Sequence, residues 1–414
     1  MADALPACRS CGERTLRSIL SLGRMPLANA LLSAVQLREP EETFPLELAF
    51  CTHCALLQIT ETVPAAKLFR KYLYFSSFSD TMVEHARCLA EETIASRHLD
   101  GSSLVVELAS NDGYLLQFYR LAGVSVLGVE PAENVALVAE QERQIPTLRE
   151  FFDLEVAERL VAEGRRADVL HAHNVLAHVA DLNGFVRGIA VLLDRTGVAI
   201  IEVPYVKDLI DRCEFDTIYH EHLCYYSLTA LDALFHRHDL EVQRVARVPI
   251  HGGSLRLFVT RRAAFAGTDG SVDLLRLEEQ AWGVEQEAFY RDFGFRVEAL
   301  KANLVGLLLE LKRQGAHLAA YGAAAKGATL LNYSGVGKDI LDFVVDRSVH
   351  KQGLFLPGVR LPIYPPGKLL EAMPEFVLLL AWNFAEEIIA QQSEYIRRGG
   401  RFILPIPEPK VVET

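Results

Sequence analysis

Two Cys-x-x-Cys pairs lie close together near the start of the chain and supply the ligands of a metal site. Cys8 and Cys11 form the first pair, and Cys51 and Cys54 form the second. Thiolates in two tight turns match the closed tetrahedral coordination of structural zinc, which leaves no open position for a catalytic water. The sequence therefore predicts a zinc ion that stabilises a small N-terminal domain and takes no part in the chemistry.

The segment 104–116 is typical of a buried strand that leads through a tight turn into a helix, and it contains the acids Glu107 and Asp112. Ligands of parallel sheets bind beyond the carboxyl ends of the strands. The following strand ends at Glu130, where a carboxylate can hold ribose hydroxyls. Turn and acid together predict a cofactor that contains adenosine.

The chemistry of this turn favours S-adenosylmethionine over a dinucleotide. Its glycines do not fit the pattern G-x-G-x-x-G, and the turn has no Lys or Arg to balance a pyrophosphate. The sulfonium and ammonium groups of S-adenosylmethionine suit the acidic Glu107 and Asp112, which would repel a dinucleotide. S-adenosylmethionine is the predicted cofactor.

The densest set of titratable side chains lies in the segment 215–227, which contains Tyr219, Glu221 and His222. Histidine is the natural general base at neutral pH, a carboxylate can fix its tautomer, and a tyrosine can donate to a developing oxyanion. The spacing does not fit the H-E-x-x-H pattern of catalytic zinc. Asn174 and His178 follow a neighbouring strand and are expected at the same edge of the sheet.

Two other segments can contribute to this pocket. Tyr72, Tyr74, Ser76 and Ser77 lie between the zinc domain and the first α/β unit, and they can close over it. The second segment is a glycine-rich turn from Tyr321 to Lys326, which can hold phosphate at a helix N-terminus. It is neither a P-loop nor the dinucleotide fingerprint.

These residues need a scaffold of strands alternating with helices, which predicts parallel sheets and an α/β fold. A helix is expected around 81–96. The first set of strands is expected at 104–108, 125–129, 169–171 and 197–203, and the second at 318–322, 343–346, 376–381 and 402–405. A polar patch at 267–271 and a long helical stretch from 272 to about 314 separate the two sets.

Composition excludes several classes of protein. The chain has 414 residues, with 42 Lys and Arg against 54 Asp and Glu, so it has no basic excess for binding nucleic acid. Its apolar stretches are shorter than the roughly 18 to 20 residues of a membrane span. The first residues lack the features of a secretory signal, and the cysteine count is odd, so a cytoplasmic protein with reduced thiols is expected. We expect a monomer, because the sequence contains no obvious exposed apolar heptad pattern.

In this combination the chain resembles the S-adenosylmethionine-dependent sugar C-methyltransferases, which methylate nucleotide-linked deoxy-keto sugars. The resemblance covers nearly the whole chain, and its most distinctive element is the sequence Tyr-His-Glu-His at 219–222. One departure is Ala109, where the family usually has glycine in the cofactor turn. The other matching motifs are Cys8, Cys11, Cys51 and Cys54, the turn from Glu107 to Gly113, Glu130 with Pro131, Asn174 with His178, His251 to Ser254, and Tyr321 to Lys326.

The resemblance implies a zinc-binding domain (1–66), a central class I, Rossmann-like methyltransferase domain (67–250) and a second Rossmann-like α/β domain that helps to hold a nucleotide sugar (251–414). It implies methylation of a dTDP-linked 4-keto-deoxysugar, expected at C-3, in the biosynthesis of deoxysugars for natural products such as antibiotics. The resemblance also implies that the metal is zinc, bound by Cys8, Cys11, Cys51 and Cys54.

The resemblance also assigns site residues. His222 removes the proton, Glu221 orients His222, Tyr219 and His178 support the enolate oxygen, and Tyr74 closes the pocket. The residues assigned to the cofactor are Glu107, Ser110, Asn111, Asp112, Gly113, Glu130, Pro131, Phe151 and Asn174. Those assigned to the sugar nucleotide are Tyr205, His251, Gly252, Gly253, Arg256, Tyr321 and Lys326.

Two other functions stay open at this point. An NADPH-dependent ketoreductase, or a bifunctional ketoreductase and methyltransferase, would act on the same keto-sugar nucleotide, and the Gly322 turn with Asp346 supports it. A zinc-stabilised binding protein with a degenerate methyltransferase domain is the non-enzymatic alternative, supported by Ala109.

Overall fold

A computed structural model describes residues 5–70 and 73–412. Within those residues, no helix is both long and apolar enough to cross a membrane. The N-terminal unit is an antiparallel sheet in which the two cysteine turns flank the strands. Its elements are β1 (Leu16–Pro26), β2 (Thr43–Cys51), β3 (Leu57–Ile59) and the short helix α1 (Ala65–Phe69).

The central unit is a larger, mostly parallel sheet covered by helices. Its strands and helices follow one another as the alternating pattern predicts, with the following bounds: α2 (Asp80–Arg97), β4 (Leu104–Leu108), α3 (Leu116–Leu121), β5 (Ser125–Val129), α4 (Glu133–Arg143), β6 (Thr147–Leu148), α5 (Leu154–Ala162), β7 (Ala167–His173), α6 (Leu182–Leu192), β8 (Leu193–Pro204), α7 (Val206–Asp211), β9 (Cys224–Tyr225), α8 (Leu228–His236), β10 (Leu240–Val248) and β11 (Ser254–Arg261).

The order of the strands creates a binding edge. The central sheet runs β10-β11-β8-β7-β4-β5-β6, so the chain extends to one side of β4 and then returns to the other. The order reverses between β4 and β7, and ligands of open α/β sheets bind beyond the carboxyl ends of the strands at such a switch point. The Glu107 turn follows β4 and Asn174 follows β7, as expected from the sequence.

The antiparallel hairpin β10 and β11 completes this sheet, because β11 pairs with β8. The predicted domain limit at residue 250 falls between these two strands, so the central sheet continues to Arg261. The limits 1–66, 67–250 and 251–414 otherwise stay predictions.

The long helical stretch predicted from 272 to 314 is wrong in one respect, because the structure divides it. Helix α9 (Ser271–Trp282) ends at Gly283, whose φ of 75° is in the left-handed region that glycine adopts easily. The short α10 (Glu287–Tyr290) follows, and α11 (Phe293–Arg313) leads into the C-terminal unit.

The C-terminal unit is a second doubly wound sheet in the order β14-β13-β12-β15-β16-β17, in which all strands but β17 are parallel. Its central strand β12 again lies beside the switch point. The elements are β12 (Leu318–Tyr321), α12 (Ala325–Ser334), β13 (Val344–Val345), β14 (Ile363–Tyr364), α13 (Lys368–Ala372), β15 (Phe376–Leu379), α14 (Ala385–Gln391), α15 (Ser393–Arg397), β16 (Arg401–Leu404) and β17 (Lys410–Val411).

The three units share one hydrophobic core. The N-terminal and central units are also joined by a strand pairing that the sequence did not predict. A continuous cluster of buried side chains includes Leu20 of the N-terminal unit, Ile201 of the central sheet and Leu378 of the C-terminal sheet. Strand β9 leaves the central unit and pairs with β3, which makes it the edge strand of the N-terminal sheet. The segment that contains Tyr219 and His222 is therefore fixed directly against the zinc-binding unit.

Candidate active site

The sulfur atoms of Cys8, Cys11, Cys51 and Cys54 form one compact cluster. All lie within 4.8 Å of one another, and the pairs Cys8–Cys54 and Cys11–Cys51 are 3.6 Å apart. Four thiolates around a zinc ion at about 2.3 Å have sulfur atoms about 3.8 Å apart, so the cluster fits a tetrahedral zinc ion. The Gln58 side chain donates to Cys8 Sγ over 3.1 Å and links the cluster to β3.

The turn after β4 has an unusual backbone that explains its sequence. Ala109, Asn111 and Gly113 all have positive φ values, of 54°, 50° and 77°. A Cβ at Gly113 would lie 2.9 Å from the side chain of Ile145, so only glycine fits there. For Ala109 the left-handed conformation costs about 1 kcal/mol relative to glycine, which is a physical reason for the glycine usual at this position.

Buried acceptor atoms converge at this turn. Glu107 Oε2, Ser110 Oγ, Asp112 Oδ1 and Asn174 Oδ1 are buried and have no hydrogen-bond partner in the part of the chain that the structure describes. Burial, followed by the charges of Asp112 and Glu130, raises the pKa of Glu107 well above its usual range. Unpaired acceptors and excess negative charge fit a cationic ligand such as the ammonium and sulfonium groups of S-adenosylmethionine, and they oppose a pyrophosphate.

Glu130 lies where an acid for ribose hydroxyls is expected. Its two oxygens accept hydrogen bonds from the backbone N–H groups of Asn111 and Ala132, both over 2.9 Å. Burial raises the pKa of Glu130 to about 7. Pro131 and Phe151 line the adjacent cleft of about 330 Å³, and Phe151 is 38% exposed, so its ring is available to a ligand.

The pKa of Glu130 gives a prediction for cofactor binding. We predict that Glu130 accepts from the ribose hydroxyls as the ionised carboxylate, whereas below its raised pKa the group binds a proton. We expect the affinity for S-adenosylhomocysteine to fall about tenfold from pH 8 to pH 6, as a pKa near 7 dictates. Isothermal titration at both pH values measures this, and Glu130→Gln should weaken binding and remove the pH dependence. An equal pH dependence in the variant would exclude Glu130 as its source.

The segment 73–79 closes over the cofactor turn. The Asn111 amide donates to the Tyr74 carbonyl over 3.1 Å, and Asn111 Oδ1 accepts from the Ser76 N–H over 2.9 Å. Ser77 binds Asp112 Oδ2 through its hydroxyl. Burial and the charge of Asp112 raise the pKa of Tyr74 to about 12, so this phenol stays protonated beside the cofactor turn. Tyr72 lies outside the described residues.

His222, Tyr219 and His178 form one cluster of rings. His222 Nε2 lies 2.9 Å from the Tyr219 hydroxyl, and His222 Nδ1 lies 2.8 Å from the carbonyl oxygen of Thr217. Because a carbonyl can only accept, Nδ1 carries the proton and Nε2 is the basic nitrogen. The His178 ring lies 4.8 Å from that of His222, centre to centre. Burial, and then the neighbouring His178, lower the pKa of His222 well below its usual value, so the ring is neutral at physiological pH.

The Thr217 carbonyl holds Nδ1 of His222. The Glu221 carboxylate is 2% exposed and accepts from the side-chain amide of Asn29, a residue of the zinc-binding unit. The role of Glu221 as the residue that orients His222 stays a prediction. No sequence pattern marks a backbone acceptor such as the Thr217 carbonyl, so this contact could not be predicted.

Lys326, from α12 of the C-terminal unit, and His251, from the connection between β10 and β11, both lower the pKa of His222. The Lys326 ammonium donates to the His251 carbonyl over 3.3 Å and lies 4.6 Å from the centre of the Trp382 ring. Tyr321 ends β12 nearby in sequence, is 3% exposed, and its hydroxyl has no hydrogen-bond partner among the described residues.

Beside Lys326 lie two buried acids that the sequence analysis did not single out. Asp216 accepts from the Trp382 indole over 2.7 Å, and burial raises its pKa to about 6. Burial raises the pKa of Glu214 to about 8. Both acids precede Tyr219 on the same segment. This position was the only feature of the sequence that could have indicated that they lie near the site.

Two residues predicted to bind the sugar nucleotide have partners within the protein. Tyr205 is 1% exposed and its hydroxyl is bound to Glu279 over 2.9 Å, so it belongs to the core. Arg256 forms an ion pair of 2.6 Å with Glu202.

Gly252 and Gly253 shape a turn. A Cβ at these two positions would lie 2.6 and 2.4 Å from carboxylate oxygens of Glu214 and Asp208. The glycines therefore allow a close approach of the chain to two acids. The structure gives them no contact that requires a ligand.

Three features together define a zinc-containing methyltransferase: the cluster of four cysteines, the cofactor turn after β4, and the cluster of rings around His222. Family models agree: a zinc binding domain matches residues 8–69, a methyltransferase domain 82–245, and a C-methyltransferase C-terminal domain 249–407. The C-methyltransferase NovU of Streptomyces niveus is 37% identical over 98% of this chain and 97% of its own. The ubiquinone biosynthesis O-methyltransferase of Azorhizobium caulinodans is 27% identical over 30% of this chain and 47% of its own.

The chain belongs to the C-methyltransferase family, and this confirms the resemblance found in the sequence. It is an S-adenosylmethionine-dependent C-methyltransferase with a zinc-binding N-terminal unit. Among solved structures, magnesium protoporphyrin IX methyltransferase of Synechocystis superposes over 43% of this chain and 79% of its own, with 16% identity and a TM-score of 0.34. Likeness at this level carries no functional information.

Proposed function

We propose that the enzyme methylates carbon 3 of a dTDP-linked 4-keto-deoxysugar, through an enolate, in the biosynthesis of a deoxysugar. A carbon beside a ketone becomes a nucleophile when a base removes its proton and hydrogen-bond donors stabilise the enolate oxygen. The observation that carries the proposal is the His222 cluster, in which a neutral imidazole with a defined basic nitrogen lies between two possible donors.

His222 is the base in this proposal. Its Nδ1 is committed to the Thr217 carbonyl, so Nε2 accepts the proton from the sugar carbon. The low pKa keeps the imidazole unprotonated before the reaction. Proton transfer makes an imidazolium beside an enolate, and the attraction between these opposite charges compensates for the low basicity of the free ring.

Tyr219 and His178 are the donors to the enolate oxygen. The Tyr219 hydroxyl donates to His222 Nε2 in this structure, and the oxygen of a bound ketone gives it an alternative acceptor, which frees Nε2 for the sugar proton. His178 Nδ1 is buried without a partner among the described residues, which suits a nitrogen that donates to a ligand. We assign to Glu221 the negative charge that offsets the proton taken up by His222, and to Tyr74 the closing of the pocket.

The cofactor and the nucleotide occupy the two sides of this cluster. S-adenosylmethionine supplies an electrophilic methyl group when bound. Glu107, Asp112 and Asn174 hold its cationic end, and Glu130 holds its ribose. Lys326 of the C-terminal unit and His251 of the connection between β10 and β11 supply donors for the sugar nucleotide.

Deuterium exchange tests the enolate directly. With dTDP-4-keto-6-deoxyglucose and its 2-deoxy counterpart in D₂O, the enzyme with S-adenosylhomocysteine should exchange the proton at the carbon that is methylated. NMR then locates that carbon, and mass spectrometry with S-adenosylmethionine should show one added methyl group. Exchange at C-5 alone would move the proposed methylation site from C-3 to C-5. The absence of both exchange and methylation with any keto-sugar nucleotide would contradict the proposal.

One observation favours the ketoreductase as a second activity. The C-terminal sheet has the strand order of dinucleotide-binding folds, with Gly322 after its central strand and Asp346 after the next. However, Asp346 binds the Ala323 N–H over 2.7 Å, and Lys351 donates to the Ala323 carbonyl over 2.9 Å. Oxidation of NADPH in the presence of the keto sugar would establish this activity.

A further inference from the structure

We propose that Asn29, a residue of the zinc-binding unit, is a positioning residue for the methyl transfer and acts through Glu221. The inference rests on the proposed function, since it assumes that the segment 219–222 carries the chemistry. It assigns a role in the reaction to a residue that lies 192 positions away from Glu221 in the sequence.

The contact between the two side chains has a defined donor and acceptor. Asn29 Nδ2 lies 2.8 Å from both carboxylate oxygens of Glu221. A carboxylate only accepts, so the amide nitrogen and not its oxygen must face Glu221. Hydrogen bonds to a charged group are stronger than those between neutral groups, and this one stabilises the ionised form in a single orientation.

Asn29 is held rigidly enough to position another residue. It lies in a tight turn after β1, in which the Ala30 N–H binds the Leu27 carbonyl over 3.0 Å. On one side of Asn29, Ala28 packs against Tyr219. On the other, Leu32 exchanges two backbone hydrogen bonds of 2.9 Å with Phe355 of the C-terminal unit. The turn is therefore fixed at both ends before any ligand binds.

The neighbours of Glu221 are also anchored on the zinc-binding unit. The His220 ring donates through Nε2 to the Pro45 carbonyl over 3.1 Å. Further along, Gln58 and Leu57 of β3 pair with β9. These contacts fix the backbone of the segment, whereas Asn29 reaches a side chain that we place in the reaction. Loss of Asn29 should thus alter the chemistry more than the fold.

A double-mutant cycle tests this inference. Asn29→Ala should lower kcat about 10- to 100-fold, the range for a lost hydrogen bond to a charged group, while KM changes little. In the background of Glu221→Gln the same substitution should change kcat less than about twofold, because the charge it serves is already gone. Equal losses in both backgrounds would overturn the inference.

Asn183 offers a matched control at the same boundary between units. Its side-chain amide donates to the carbonyls of Arg9 and Ser10, over 3.1 and 3.0 Å. Asn183→Ala removes comparable bonds far along the chain from the segment 219–222, so it should lower the melting temperature but leave kcat within about threefold. If Asn183→Ala and Asn29→Ala lowered kcat equally, the effect of Asn29 would be structural only and the inference would fail.

The outcomes separate this inference from the proposed function. Turnover of each variant is measured with dTDP-4-keto-6-deoxyglucose, and the His222→Asn variant is assayed in parallel. Thermal unfolding of each variant shows that it folds. An active His222→Asn variant, or no turnover by the unchanged enzyme, contradicts the proposed function and with it the inference. An inactive His222→Asn variant beside a fully active Asn29→Ala variant contradicts the inference alone.

Discussion

Replacement of His222 by asparagine should lower turnover about 10²- to 10⁴-fold, the range that general base catalysis contributes. Asparagine can still donate to the Thr217 carbonyl, so the loop keeps the bond that His222 makes over 2.8 Å. It has no equivalent of Nε2, the nitrogen that would take the proton. The exchange of the sugar proton with D₂O should be lost together with methyl transfer, since both need the same enolate.

Binding of the cofactor and folding are the controls for this prediction. Affinity for S-adenosylhomocysteine should stay within about twofold, because the cofactor turn follows β4, whereas His222 lies in the segment that leads into β9. His220→Asn is the same substitution two residues away, and it removes a bond to the Pro45 carbonyl and a ring contact with Phe44. Its turnover should fall far less. Normal exchange by His222→Asn would show that another group is the base.

The parts of the site that could be predicted from the sequence are local ones. Two cysteine pairs, a strand that runs into an acidic turn, and an acid after the next strand each lie within a short segment. Parallel strands then bring Glu107, Glu130 and Asn174 to one edge of the sheet, as the topology confirms. Tyr219 and His222 were found for the same reason, because they are three residues apart.

The parts that could not be predicted depend on distant partners. The hydroxyl of Tyr205 donates to Glu279 over 2.9 Å, and the guanidinium of Arg256 pairs with Glu202 over 2.6 Å. No local pattern indicates either partner. The two-residue strand β9 pairs with β3, although Tyr225 and its partner Leu57 are 168 positions apart in the sequence. No local pattern marks such a pairing, since a two-residue strand has too few residues to show alternation.

Loss of zinc should abolish catalysis even though zinc takes no part in it. Cys51→Ser removes one of four ligands, and structural zinc sites contribute about 10 to 16 kcal/mol of binding free energy that is also folding free energy. Cys51 ends β2, and the cluster is joined to β3 through Gln58. We expect the zinc content of the variant to fall and its turnover to drop at least about 10³-fold, the effect of losing the general base with its support.

The measurement compares zinc content, turnover and cofactor affinity in the same preparations. Cys88→Ser is the control, because Cys88 is exposed and lies outside the cluster. It should keep both zinc and turnover. Reversible removal of zinc from the unchanged enzyme by a chelator covers the case in which Cys51→Ser does not fold.

The physical reason for this effect is the path from the metal to the base. Gln58 donates to Cys8 Sγ, β3 pairs with β9, and β9 begins two residues after His222. Without zinc the N-terminal sheet loosens, β9 loses its partner, and Nε2 of His222 is no longer fixed relative to the sugar. Affinity for S-adenosylhomocysteine should change much less than turnover, since β4, β5 and β7 belong to the central sheet and pair with no strand of the N-terminal sheet. Zinc removal that left kcat unchanged, or that reduced cofactor affinity as strongly as kcat, would show that the zinc-binding unit does not position the base.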